Sequence, residues 1–416
     1  MISLWKTLIE TSLARVYTLI IGAIILFLTA RYLGPGGQGV VAAATAWAML
    51  FSAFGGLSLG QVAHYRVQVK KSNQWLTDLF GPLLLFTVLL TLATYVIVTI
   101  AYSSTDGKLF KEIPLHVLGI AFAIIPFLIW EEYSRNLLAA IGKLRVYNMA
   151  QFWGRSFWLF GILGLIYFKR MGIFEVLTVQ LAGQAIISMI GLSALGKQVH
   201  YVIRIKRDEI IEMLKGAGKL HLNTVGSFLL AQNTILMLNY FSDKSDVGYY
   251  QIAFQMAVLP AVIAQSASMV LYSKMSDLGA NGVWPLHKRV CLQILAMVTF
   301  ISICGYIAAP LLVPLLVGNK FAPSIEIFQF LLPCALGMAA AQLMAPQWIG
   351  RGVFTPTTAL TFGVAVANVI INAILIPRFG VMGAVWASLV CYVGITIIVQ
   401  ALFAWWCEKK YIQSLG

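Results

Sequence analysis

Charge is scarce in this sequence. Only 11% of its 416 residues are charged and only 15 are acidic, where an ordinary soluble domain carries about a quarter charged residues. With water as solvent, a chain of this length would have to divide into domains with polar exteriors, and 60% apolar content leaves too little polar surface for that. A soluble globular protein is excluded, and the bilayer becomes the solvent. Cysteine is also rare. Cys291, Cys304, Cys334, Cys391 and Cys407 all fall in or at the ends of apolar runs, without metal-ligand spacing. This excludes a disulfide framework or a metal cluster and leaves a helix-packing role. The five histidines (His64, His116, His200, His221 and His287) are scattered near span ends. Phosphate-binding GxxxxGK[ST], nucleophile-elbow GxSxG and zinc-binding HExxH patterns are all missing. The longest outer loop, near 103–113, is too short to position a sugar for catalysis. No cofactor, no metal and no enzymatic activity are expected.

What the sequence has in quantity is apolar runs of membrane-spanning length, about 20 residues each. We place spans at 12–33, 38–62, 79–103, 114–139, 147–168, 172–196, 221–241, 247–272, 290–317, 325–349, 354–376 and 379–404. The net charge of +14 does not point to nucleic acid, because the basic residues sit in short loops between these runs. With the N-terminus inside, twenty Lys and Arg fall on the cytoplasmic side (among them Lys143, Lys206, Lys288 and Lys409) and eight on the outer side. This asymmetry predicts that both termini are cytoplasmic. Lys6 and Arg15 lead into apolar sequence without a small-residue cleavage site, so the first span is expected to act as the insertion signal.

The longest cytoplasmic connection, 197–220, mixes Val202, Ile203, Ile205, Ile210, Ile211, Met213 and Leu214 with Arg204, Lys206, Arg207 and Lys215. This composition predicts an interfacial amphipathic helix joining two halves, 1–196 and 221–416. An internal repeat supports that division. Tyr32 and Tyr240, Ile141-Gly142-Lys143 and Ile349-Gly350-Arg351, and Arg170-Met171-Gly172 and Arg378-Phe379-Gly380 are each 208 residues apart. The expected fold is therefore all-α, with twelve transmembrane helices in two parallel six-helix bundles around a central cavity.

Charges inside spans are costly and mark functional candidates. Glu131 and Glu132 in the fourth span and Arg155 in the fifth are about equally far from the turn at Lys143. A helical hairpin would bring them to similar depth. Two readings stand: a charged site facing a cavity, or a structural ion pair locking the hairpin. Asn148, Gln151 and Arg155 form a polar stripe. Arg15 either reaches the cavity or snorkels to the headgroups. In the second half Asn223, Gln232, Gln251, Gln255, Asn368 and Asn372 either line a cavity or hydrogen-bond between helices. Pro126, Pro260 and Pro333 inside spans predict kinks.

The segments Thr29–Ala44 (TARYLGPGGQGVVAAA) and Ile376–Leu389 (IPRFGVMGAVWASL) resemble Wzx-type O-antigen and polysaccharide flippases, of the multidrug, oligosaccharidyl-lipid and polysaccharide exporter superfamily. The resemblance implies a flippase of the bacterial inner membrane. It would carry an undecaprenyl-diphosphate-linked oligosaccharide to the outer leaflet by alternating access, alongside a polysaccharide polymerase and a chain-length regulator. It also implies that Arg155 and Arg15 attract the diphosphate and that Glu131 or Glu132 couples transport to an ion. Drug antiporters of this superfamily place an acid in an early span, and the first span here has none. That antiporter, and a membrane polymerase or ligase, are the alternative readings.

Overall fold

Within a bilayer each backbone N–H and C=O needs a partner in its own segment, so long apolar runs fold as helices. The computed structural model describes the backbone of residues 2–69, 75–111 and 113–414. Side chains are described for the same residues except 2–12, 65–69, 219–220, 223, 273, 276–277 and 354–355. Among the described residues all regular structure is helical. In order the helices are α1 (Ile2–Gly55), α2 (Leu59–Val69), α3 (Trp75–Ser104), α4 (Leu115–Phe122), α5 (Ile125–Ala140), α6 (Leu144–Tyr167), α7 (Ile173–Gln198) and α8 (Arg207–Phe241). They continue as α9 (Lys244–Val258), α10 (Val262–Gly282), α11 (Trp284–Val317), α12 (Pro323–Leu331), α13 (Cys334–Gly350), α14 (Phe354–Leu389) and α15 (Ile397–Gln413). The chain forms two compact units, Met1–Phe228 and Leu229–Gly416, so the division falls inside α8.

Eight helical segments among the described residues are long and apolar enough to cross a membrane. Two of them, Leu13–Gly55 and Pro356–Gln413, run to 43 and 58 residues. Each is broken where a glycine takes positive φ: Gly34 (φ 72°, ψ 177°) in the first and Gly380 (φ 56°, ψ −135°) in the second. A Cβ would strain such a break. The expected fifth and seventh spans correspond to α6 and the latter part of α8. Both are helical, but neither is among the eight apolar segments. Their polar residues, which drew attention to them as candidate sites, also lower their hydropathy.

The expected second span, 38–62, ends early. Helix α1 stops at Gly55, and Leu57 and Ser58 turn the chain at positive φ before α2. The three prolines expected to kink their spans all mark helix junctions. Pro126 lies in the first turn of α5, Pro260 in the 3-10 turn between α9 and α10, and Pro333 at the start of α13. At such positions proline has no intrahelical N–H to lose.

The connection expected as a separate amphipathic helix is built differently. Helix α7 ends at Gln198, His200 and Tyr201 turn at positive φ, and 202–206 carries no helix. This strap crosses the start of α3, where a Cβ on Gly81 would run into the Arg204 backbone carbonyl. Lys206 pairs with Asp78 at 2.8 Å. From Arg207 the chain enters α8 directly and continues into the seventh span. Glu209, Met213 and Ala217 recur every fourth residue as its buried face, and Gly216 lies against Val62 of α2. Of the seven apolar residues in that pattern only Met213 is buried, and Val202, Ile203, Ile205, Ile211 and Leu214 are exposed.

The 208-residue repeat coincides with helix breaks in both units. The break at Gly34 corresponds to the α8–α9 junction, the α5–α6 turn to the α13–α14 turn, and the α6–α7 turn to Gly380.

Candidate functional site

The N-terminal unit contains a half-buried carboxylate held by three neutral donors. Glu131 lies on α5. Its Oε1 accepts from the Tyr147 hydroxyl at 2.9 Å and from Gln151 Nε2 at 2.6 Å, both on α6. Its Oε2 accepts from Gln184 Nε2 on α7. Gln151 Nε2 also donates to the Tyr147 hydroxyl at 2.9 Å. Gln151 and Gln184 are both buried. A carboxylate is an acceptor at both oxygens, so this arrangement ties α5, α6 and α7 together at one point.

Small residues make the convergence possible. A Cβ on Gly154 would meet the Gly183 carbonyl oxygen at 2.7 Å, and one on Gly183 would meet the Gly154 carbonyl oxygen at 2.9 Å. Such glycine contacts let membrane helices approach backbone to backbone. On the other side of α7, Gly191 faces Ser134 of α5, and Ser188 Oγ donates to the Phe127 carbonyl at 2.6 Å.

Glu132 points elsewhere. Its Oε1 accepts from Asn136 Nδ2 at 2.9 Å, and its Oε2 lies 2.9 Å from where a Gly60 Cβ would stand on α2. The two adjacent glutamates therefore serve different helix contacts.

Arg155 lies one turn past Gln151 on α6. Its guanidinium carbon stands 5.3 Å from the centre of the Trp158 ring, and its Nε is buried without a hydrogen-bond partner. Among the described residues no carboxylate pairs with it, so the ion pair that would have locked the hairpin is not formed. Glu131 is satisfied by amides and a phenol, and among the described residues no carboxylate lies within ion-pair distance of the arginine. In the second unit the positions one repeat after Glu131 carry buried Ala339 and the apolar cluster around Ala335 and Leu343. The charged hub thus belongs to one repeat only.

The other predicted positions divide. Asn148 is half-buried on α6, and Arg15 lies on an exposed face of α1, two residues before Tyr17. The Tyr17 hydroxyl bonds Ser156 Oγ at 2.6 Å, bringing α1 to the Arg155 turn of α6. Asn223 lies outside the residues whose side chains are described. Gln232 and Gln251 are half-buried and Gln255 is exposed. Asn368 and Asn372 are buried in a network within the second unit. Asn372 Nδ2 donates to Asn368 Oδ1 at 2.9 Å and to Thr234 Oγ1 at 3.1 Å, and Asn233 Nδ2 donates to Asn368 Oδ1 at 3.3 Å. These bonds join α14 to α8. Sequence reading missed Tyr147 and Gln184. The signal for the second was the run Gln180, Gln184 and Ser188 at four-residue spacing along α7.

The model of the family described as "Polysaccharide biosynthesis protein" matches residues 4–278. The chain belongs to that family. Among curated proteins no match is found. Solved structures show the fold. A lipid II flippase MurJ in an inward closed conformation is similar with a TM-score of 0.77 at 16% identity, over 94% of this chain and 86% of that one. An inward-facing multidrug resistance MATE family transporter of the MOP superfamily is similar with a TM-score of 0.66 at 14% identity, over 96% and 99%. A MOP superfamily transporter from Pyrococcus furiosus is similar with a TM-score of 0.59 at 13% identity, over 98% and 95%. This polysaccharide biosynthesis family member is a multi-pass membrane protein with a MOP-superfamily transporter fold, as its two loop segments suggested.

Proposed function

We propose that the chain is a flippase for a lipid-linked oligosaccharide. It would move an undecaprenyl-diphosphate-linked repeat unit, of O-antigen or similar type, from the cytoplasmic to the outer leaflet of the bacterial inner membrane by alternating access. The observation that carries this reading is the family match over residues 4–278 in a chain whose fold is shared with a lipid II flippase. The chemistry of the first unit supports it. Arg155 offers a guanidinium with no ion-pair partner among the described residues, and the diphosphate of such a cargo is a strong bidentate acceptor for it. Arg15 is the second candidate cation. Amides at Asn148, Gln232, Gln251 and Gln255 suit hydroxyl-rich sugars, since they donate and accept without fixing an ion. Glu131, with its three movable donors, is the candidate for ion coupling, and Glu132 the second. A polymerase and a chain-length regulator would act on the delivered unit.

The MATE-like fold favours a second reading, a drug or cation antiporter, with Glu131 as the exchanging acid. Deleting the protein in its host separates the two. A flippase leaves intact lipid-linked repeat units on the cytoplasmic side and reduces surface polysaccharide. An unchanged surface glycan together with new drug sensitivity overturns the flippase.

A further inference from the structure

The second unit contains a cavity of about 440 Å³ between α11, α13 and α15, within the 300–1,000 Å³ range typical of ligand pockets. Its walls are almost wholly apolar, with Leu292, Leu295, Leu343 and Ile397 among them, and its polar groups gather at one end. There Lys288 Nζ pairs with Glu408 Oε2 at 2.7 Å, and Trp284 Nε1 donates to the same oxygen at 2.5 Å. The Lys288 side chain is 42% exposed and that of Glu408 34%. A pair this open to solvent is weak and exchangeable.

Two features of this end identify an occupant. The first is charge. Lys288 and Arg289 on α11 and Lys409 and Lys410 on α15 stand against the single carboxylate Glu408 at the ends of these two helices. The second is depth. Trp405 is exposed at the rim, and Lys409 Nζ lies 5.9 Å from the centre of its ring. Paired tryptophan and lysine side chains mark the headgroup level of a bilayer. The cavity therefore opens where lipid headgroups end and hydrocarbon begins.

We propose that this cavity is a binding site for an anionic phospholipid of the surrounding bilayer. One acyl chain would fill the apolar cleft and the phosphate would engage Lys288. The site is separate from the Glu131 and Arg155 cluster and does not depend on the identity of the transported cargo.

Native mass spectrometry of the purified full-length protein, titrated separately with dioleoyl phosphatidylglycerol and dioleoyl phosphatidylcholine, tests this. The wild-type protein should retain one phosphatidylglycerol in preference to phosphatidylcholine. K288Q, a change at a half-exposed position, should reduce that preference by about fivefold, the worth of one lysine at an anionic surface. E408Q, which releases Lys288 from its carboxylate, should raise the preference. A404F fills the cleft and should lower retention of both lipids. Equal retention of the two lipids by wild type overturns the proposal, as does a preference unchanged in both K288Q and E408Q. Displacement of the retained phosphatidylglycerol by equimolar undecaprenyl phosphate would also overturn it, by making the site one for the carrier lipid.

Discussion

Gln184 on α7 donates its side-chain amide to the carboxylate of Glu131 on α5. That bond, with those from Tyr147 and Gln151, makes one acidic group the meeting point of three helices. The donors are neutral, so no fixed cation holds the carboxylate in place. Motion of α5 against α6 or α7 has to break or exchange bonds to Glu131, which makes it a clamp on the three helices.

Glu131→Gln keeps the shape of the side chain and removes its charge. The new amide presents an NH₂ to at least one of the existing donors, so a hydrogen bond is lost. The variant should insert and fold, with thermal stability in detergent lowered by about 1–3 kcal/mol, and should fail to restore surface polysaccharide in a deletion host. Full complementation by Glu131→Gln would reduce the hub to a packing device.

Arg155→Ala should abolish complementation, because it removes a charge that no carboxylate among the described residues pairs with. Arg155→Lys should retain part of the activity, keeping the charge but losing the planar fork and its geometry over Trp158. Removing an uncompensated charge should not destabilise the protein as breaking an ion pair would. Unchanged melting with lost transport is therefore the expected combination. A large loss of stability in Arg155→Ala would instead identify a structural partner for the arginine.

The helical frame was legible because a membrane leaves the backbone few alternatives, and the 208-residue offset located breaks at Gly34, Gly142 and Gly380 that the structure contains. Glu131 and Arg155 were legible because charge inside an apolar run is conspicuous. Their partners were not. Tyr147 and Gln184 are ordinary residues for a helix, and only knowing which faces of α6 and α7 meet α5 singles them out. The same ignorance of facing made Glu131 and Arg155 look like a pair, when Gln151, one turn away on the same stripe, takes the carboxylate. The build of the 197–220 connection was not legible, because an amphipathic pattern does not show where a turn precedes the helix or which apolar residues, such as Met213, are buried.

Asn372 tests the opposite kind of polar residue. It is fully buried, and its amide bridges Asn368 and Thr234. Asn372→Ala should lower stability by about 1 kcal/mol, the usual scale for an interhelical hydrogen bond in a membrane protein. Transport per folded molecule should be unchanged. Complementation normalised to the folded fraction, measured by size-exclusion chromatography, checks this. A loss of transport at full folded yield would give the asparagine network a direct part in the cycle.

Gly154 offers a test of whether the hub depends on helix proximity. A side chain there meets the Gly183 carbonyl and Ile187, whereas a side chain at Gly164, ten residues along the same helix, meets nothing within 4 Å. Gly154→Val should push α6 from α7 and draw the Gln151 and Gln184 donors apart. Overpacking of this kind costs about 1–3 kcal/mol, and it should reduce surface polysaccharide together with the melting temperature. Gly164→Val carries the same change in propensity and volume but faces open space, so it should stay within about 0.5 kcal/mol of wild type and complement fully. If the two valines behave alike, the loss comes from helix propensity. If only Gly154→Val fails, the close approach of α6 and α7 is what keeps Glu131 held by three donors.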